Sequence, residues 1–205
     1  MRRLLSADFK LYCALHLGAR AGRLRRFLLC FRSRGLLVLT VYRMGHYYLR
    51  RRANSKSQLR LLGLRVLLPI ARQLVILIAK SDVAAHSAIE GGVYLSDHGY
   101  LIIGPQRIGK GTLIHDRVTI GVGAAGVGPP SIGENVWIGP DCVLYGDSRI
   151  GNGATVLPGT VLSMNVPDNA IVGGNPGGIV RLNFDNSPLR CTLSRSIDPE
   201  LLAAP

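Results

Sequence analysis

An imidazole is the side chain best suited to taking a proton near neutral pH, and the chain beyond residue 80 holds three: His86, His98 and His115. His98 stands in the tripeptide Asp97-His98-Gly99, with Asp82 sixteen residues before it and His115 seventeen residues after it. A histidine oriented by a carboxylate removes a hydroxyl proton as the oxygen attacks an electrophile, worth about 10²–10⁴ in rate. Three imidazoles are also the ligands of a water-activating zinc ion. Here their spacings of 12 and 17 provide no closely spaced ligand pair, so no metal is expected. By residue type alone, His98 reads first as a corner histidine bonded to backbone. His86 occupies an ordinary corner slot, and His16 and His46 fall in a different kind of sequence, where a structural or surface place is expected.

These residues need a scaffold, and the chain supplies a periodic one. Val83, Ile89, Leu95 and Leu101 fall six apart; after a one-residue slip, Ile102, Ile108, Ile114 and Ile120 do so again, and Ile132, Ile138, Leu144, Ile150, Val156 and Leu162 continue. A small or β-branched residue commonly stands four positions later, and glycine often follows the aliphatic, as in Ile138-Gly139 and Ile150-Gly151. A period of six fits neither a helix nor a two-residue strand alternation. It fits a solenoid of short strands with tight corners, in which the aliphatic points inward. Three hexapeptides make one triangular coil, so residues about 16–18 apart stack, and the count puts Asp82 beneath His98 and His115 one coil beyond. The 25 glycines and 11 prolines, with 6% aromatic residues, agree with a turn-dense fold.

Residues 1–80 read differently. They hold 18 Lys and Arg against one acid, Asp8, a net of +17, whereas residues 81–205 hold 7 against 11, a net of −4. Leu59–Lys80 and Leu36–Tyr48 read as apolar helices with basic ends, but Arg60, Arg65 and Arg72 interrupt the first and Pro69 kinks it, so neither spans a bilayer. The expected partner is an anionic membrane surface, where each basic side chain is worth roughly 1 kcal/mol; solvated oligomerisation helices are the alternative. No nucleic-acid motif or aromatic platform accompanies the charge, so no specific nucleic acid is expected. Met1–Leu5 runs into Asp8 and Lys10 without the apolar run of a leader, and Cys13, Cys30, Cys142 and Cys191 form no CxxC pair. A reduced, cytoplasmic setting is the expectation, with the protein peripheral on the inner face of the membrane. The organisation is therefore a helical region over 1–80, a β-helix over 81–182 and a short tail over 183–205.

The segments Asp97-His98-Gly99, Ile114-His115-Asp116-Arg117-Val118-Thr119-Ile120-Gly121, Pro130–Gly139, Val166-Pro167-Asp168-Asn169 and Gly174-Asn175-Pro176 resemble the hexapeptide-repeat acyltransferases, and most of all their serine acetyltransferase and polysaccharide O-acetyltransferase branch. The resemblance covers roughly Asp82 to Val180. It implies a mainly β fold, a left-handed parallel β-helix behind an α-helical N-terminal region, assembled as a homotrimer or dimer of trimers with active sites between subunits. It implies acetyl transfer from acetyl-CoA to a hydroxyl, with His98 and Asp82 as the catalytic pair once Ser96 is treated as an insertion. Asp97 would face the acceptor; His115, one coil beyond, would bind the acceptor or assist proton transfer, a solvated corner place being its alternative. Gly121, Gly123, Gly139, Asn175 and Arg181 would serve acetyl-CoA, the small-residue loop Gly121–Pro130 lining its channel or polarising the thioester oxygen, with a plain surface excursion as the alternative.

Two departures direct the substrate expectation. The serine enzymes carry an Asp-Arg-His-Pro stretch where this chain has Val127-Gly128-Pro129-Pro130, which removes an arginine suited to a substrate carboxylate. Their C-terminal Pro-Ala-Lys/Arg is here Pro176-Gly177-Gly178, with Arg181 three residues on as the substitute cation. The resemblance thus points first to O-acetylation of a saccharide or similar hydroxyl acceptor. Serine O-acetylation and a non-catalytic trimeric scaffold are the alternatives.

Overall fold

The computed structural model of the chain describes residues 1–17, 22–52, 58–123 and 128–191. Four helices come first: α1 (Arg2–Leu17), α2 (Arg23–Arg32), α3 (Arg34–Arg52) and α4 (Gln58–Ala79). Helix α3 begins because Ser33 accepts the Leu36 N–H at 3.2 Å, an N-cap in place of the acids its first turn lacks. Helix α4 continues through Pro69, and Arg65 and Arg72 share the side turned to α3.

From Asp82 the chain winds into a parallel β-helix with three faces. The first stacks β1 (Asp82–Val83), β4 (Ile102–Ile103), β7 (Thr119–Gly121), β10 (Val143–Tyr145) and β13 (Val161–Leu162). The second stacks β2 (Ala88–Ile89), β5 (Arg107–Ile108), β8 (Ser131–Ile132) and β11 (Arg149–Ile150). The third stacks β3 (Tyr94–Leu95), β6 (Leu113–Ile114), β9 (Trp137–Ile138), β12 (Thr155–Val156) and β14 (Ile171–Gly173), ending on β15 (Gly178–Arg181), which pairs antiparallel to β14. Strands this short form because each pairs with the coil above and below, as where Thr119 N–H donates to the Cys142 carbonyl at 2.9 Å. The second residue of most strands points inward, and these aliphatics are all but fully buried, each worth about 1.5–3 kcal/mol.

The repeat differs from the sequence count in one place. Val83 lies in register with Ile103 and Ile103 with Ile120, so Ile103 is the inward residue and Ile102 is 61% exposed. The corner between Leu95 and Ile103 is longer than a hexapeptide corner, which displaces the slip by one. Coil length varies: Asp82 pairs with Ile102, Leu95 with Ile114, Arg107 with Ser131 and Arg149 with Ser131, offsets of 20, 19, 24 and 18 residues.

The helices are tied to the first coil by the single acid of their region. Asp8, fully buried, receives Arg43 Nε at 3.1 Å and the Gly92 N–H at 2.7 Å, while Arg43 donates onward to the Ile89 and Glu90 carbonyls. Tyr12 exchanges both hydrogen bonds of Leu95, donating to its carbonyl at 2.6 Å and accepting its N–H at 2.9 Å. Burial pushes the Tyr12 phenol well above its ordinary range, so it stays a neutral donor. At the other end, α5 (Ser187–Cys191) follows Asn186, whose amide donates to the Asn135 and Ala154 carbonyls. Part of the sequence-read tail is therefore packed; residues 192–205 lie outside the described residues.

Candidate active site

The long corner between the third and first faces, Ser96–Leu101, carries Asp97 and His98. It turns at Gly99 (φ +81°), where a Cβ would overlap the Ala79 carbonyl oxygen, so glycine is needed both for the turn and for the close approach to α4. The corner leaves the His98 imidazole 57% exposed. Its Nδ1 lies 3.4 Å from Ser96 Oγ and 3.9 Å from Asp116 Oδ1. Ser96 Oγ donates to Asp116 Oδ1 at 2.7 Å and accepts the His98 backbone N–H at 3.2 Å. Asp116 is buried, with Arg117 Nη1 4.0 Å away, and Arg117 in turn forks onto Asp141. The arrangement is an exposed imidazole backed by a buried serine–carboxylate pair. With the Nδ1 edge toward the carboxylate, Nε2 lies on the far side of the ring, as a base requires.

The expected stack of Asp82 beneath His98 is not formed. The first coil is 20 residues long along this face, so Asp82 lies against Ile102, and its carboxylate is gripped by Arg72 at 2.7–3.1 Å. Along the corner, Arg117 N–H donates to the Gly99 carbonyl, an offset of 18, which brings Asp116 rather than His115 next to His98. His115, expected to face an acceptor, is 3% exposed and packs on Trp137 with ring centroids 4.8 Å apart. Asp97, expected to do the same, is engaged by the helices: its Oδ1 accepts from Ser33 Oγ at 2.6 Å and from the Gly35 N–H at 2.9 Å, and His16 Nε2 lies 3.4 Å from Oδ2. It is an anion on the N-terminus of α3.

The residues expected to serve a thioester donor lie in three places. Gly139 and Asn175 share the His98 corner on later coils, linked through Asp141 to Asp116, Gly159 to Pro140 and Val161 to Gly174. At about 4.8 Å per rung, Asn175 stands four rungs, roughly 19 Å, from His98. At Gly139 a Cβ would press on Pro158 and Val156, so this glycine serves rung packing. Gly121 and Gly123 lie at the opposite edge of the first face, where Gly123 packs on Gly146; residues 124–127 of their loop lie outside the described residues. The Arg181 guanidinium sits over the Phe184 ring at 5.8 Å. Among the described residues, no group of three His, Cys, Asp or Glu is placed to hold a metal ion. Sequence reading missed Ser96 and Asp116; the one available signal was an acid 18 residues after His98, within the expected stacking distance.

Residues 129–163 match the family described as bacterial transferase hexapeptide (six repeats). The chain is 33% identical over 111 residues to serine acetyltransferase 2 of Arabidopsis thaliana, taking in 52% of this chain and 34% of that protein. It thus spans about a third of that relative's length. It superposes on the crystal structure of Neisseria gonorrhoeae serine acetyltransferase with a TM-score of 0.72 at 20% identity, over 96% of this chain and 70% of that one. On the Brucella abortus serine acetyltransferase in complex with coenzyme A the TM-score is 0.70 at 19% identity, over 87% of this chain and 66% of that one. Residues 129–163 of the repeat read from the sequence are thus the part that matches this family model, and the fold is the one seen in these serine acetyltransferase structures, a left-handed parallel β-helix behind an N-terminal helical region.

Proposed function

We propose that this chain transfers an acetyl group from acetyl-CoA to a hydroxyl of a saccharide or similar acceptor, with His98 as the general base. The observation that carries the reading is the exposed His98 imidazole whose Nδ1 side faces the buried Ser96–Asp116 pair. His98 Nε2 takes the hydroxyl proton as the oxygen bonds to the acyl carbon, and Asp116 stabilises the resulting imidazolium. The carbon–sulfur bond then breaks, the proton passes to the departing sulfur, and free CoA thiol and an acetyl ester remain. A thioester donor is needed because an alcohol exchanges into it without another energy source, and Asn175 and Gly139 on the same corner give an extended donor a path toward His98. Arg181, beyond that path on β15, is the cation assigned to its phosphate end.

The active unit in this reading is a homotrimer or a dimer of trimers, with each site closed by a neighbouring subunit. Tyr100 and Ile102 support it: they leave an exposed apolar edge at the start of the first face, next to the His98 corner. Free serine is the second reading, favoured by the serine acetyltransferases to which the chain is similar. Release of CoA thiol from acetyl-CoA, measured with a panel of saccharides and with serine, separates the two. Turnover with sugars and none with serine is expected. Turnover with serine alone would reverse the assignment, and none with any acceptor would leave a scaffold.

A further inference from the structure

Helix α4 has two unlike sides. Leu68, Pro69, Val75 and Ile76 face α3 and the first coil, with Arg65 and Arg72 among them, around an apolar cleft of about 230 Å³. The other side carries Val66, Leu67, Ile70, Leu74, Leu77 and Ile78, each 52–74% exposed. At 100° per residue these six fall within an arc of about 120°, a continuous aliphatic stripe. Single exposed aliphatics are ordinary on a protein surface, but a stripe of this length marks a docking face.

Charge decides what docks there. Residues 1–80 carry a net of +17, so a second copy would bring the same sign to the stripe, and an anionic lipid surface brings the opposite one. Helix α2 repeats the pattern on a smaller scale: Leu24, Phe27 and Leu28 are exposed, among Arg23, Arg25, Arg26 and Arg32. Among the described residues no helix is long and apolar enough to cross a membrane, which leaves a helix lying in the interface. We infer that the Val66–Ile78 stripe of α4 seats in the acyl boundary of an anionic leaflet, with α2 as a second contact and the arginines against the headgroups. The Gly99 corner rests directly on Ala79, the last residue of α4, so docking holds the His98 corner at the leaflet, where an acceptor carried on a lipid is presented. The docking itself stands independently of the proposed reaction.

The test is co-sedimentation of the full chain with vesicles of phosphatidylcholine alone and of phosphatidylcholine with phosphatidylglycerol, at low and high salt. Sedimentation velocity without lipid runs alongside. Binding to the anionic vesicles is expected, falling at least about tenfold in high salt and in the Leu74→Glu/Leu77→Glu variant, with the oligomeric state unchanged. Leu77→Trp supplies a second readout that leaves the stripe apolar: its emission moves to the blue on anionic vesicles only. Equal binding to neutral and anionic vesicles, or wild-type binding by the double Glu variant, overturns the inference. So does dissociation of an oligomer in that variant, which would make the stripe a contact between copies.

Discussion

Replacing Asp116 by Asn removes the negative charge behind His98 while keeping an oxygen to accept from Ser96, so it isolates the electrostatic part of the pairing. The carboxylate is 3.9 Å from Nδ1. Two unit charges at that separation interact by about 1 kcal/mol in water and about 4 kcal/mol at the effective dielectric of a protein surface. Because the imidazole is 57% exposed, the lower part of that range applies, about 1–2 kcal/mol, or roughly 5- to 30-fold in kcat/KM. The assay is thiol release from acetyl-CoA with a saturating acceptor, repeated in the His98→Ala background, with thermal melts showing that each variant is folded. In that background the Asn substitution is expected to cost nothing further, since the charge acts only through the imidazole. Asp82→Asn breaks only the half-exposed Arg72 pair and is expected to change turnover less than Asp116→Asn. An Asp116→Asn effect that persists without His98, or an Asp82→Asn effect larger than it, would refute the reasoning.

Three further outcomes follow from the packing. Asp8→Ala strands the buried Arg43 guanidinium and should cost about 3–5 kcal/mol in denaturant unfolding. Gly35→Ala drives a Cβ into the Leu95 carbonyl and the Tyr12 hydroxyl and should destabilise by more than about 1 kcal/mol, whereas Gly63→Ala, in open space on α4, should stabilise by about 0.5–1 kcal/mol. Burial pushes the Cys142 thiol up to about 12, so its thiolate is scarce at pH 8; alkylation of the native protein should reach exposed Cys191 first and Cys142 last, the order being read by peptide mass.

The β-helix was legible in the sequence because its inward positions admit little but aliphatics, and a strict six-residue spacing has few other physical meanings. The geometry of the candidate site was less legible because it depends on coil length, which corner insertions change without disturbing the hydrophobic period. A corner two residues longer than a hexapeptide corner, one more than expected, moved the inward role from Ile102 to Ile103 and set Asp82 against Ile102 rather than His98. The same corner made Asp116, a neighbour of the residue chosen from the motif, the acid beside the imidazole. The partners of Asp97 were hidden for a different reason: Ser33 and Gly35 lie more than 60 residues away on helices whose docking leaves no periodic mark.

The most direct measurement is acetyl-CoA thiol release by His98→Ala against the unmodified chain, with the acceptor that the panel identifies. A base at the exposed corner predicts a loss of at least about a hundredfold in kcat with the fold intact. Turnover by that variant within a few-fold of the unmodified chain would contradict it.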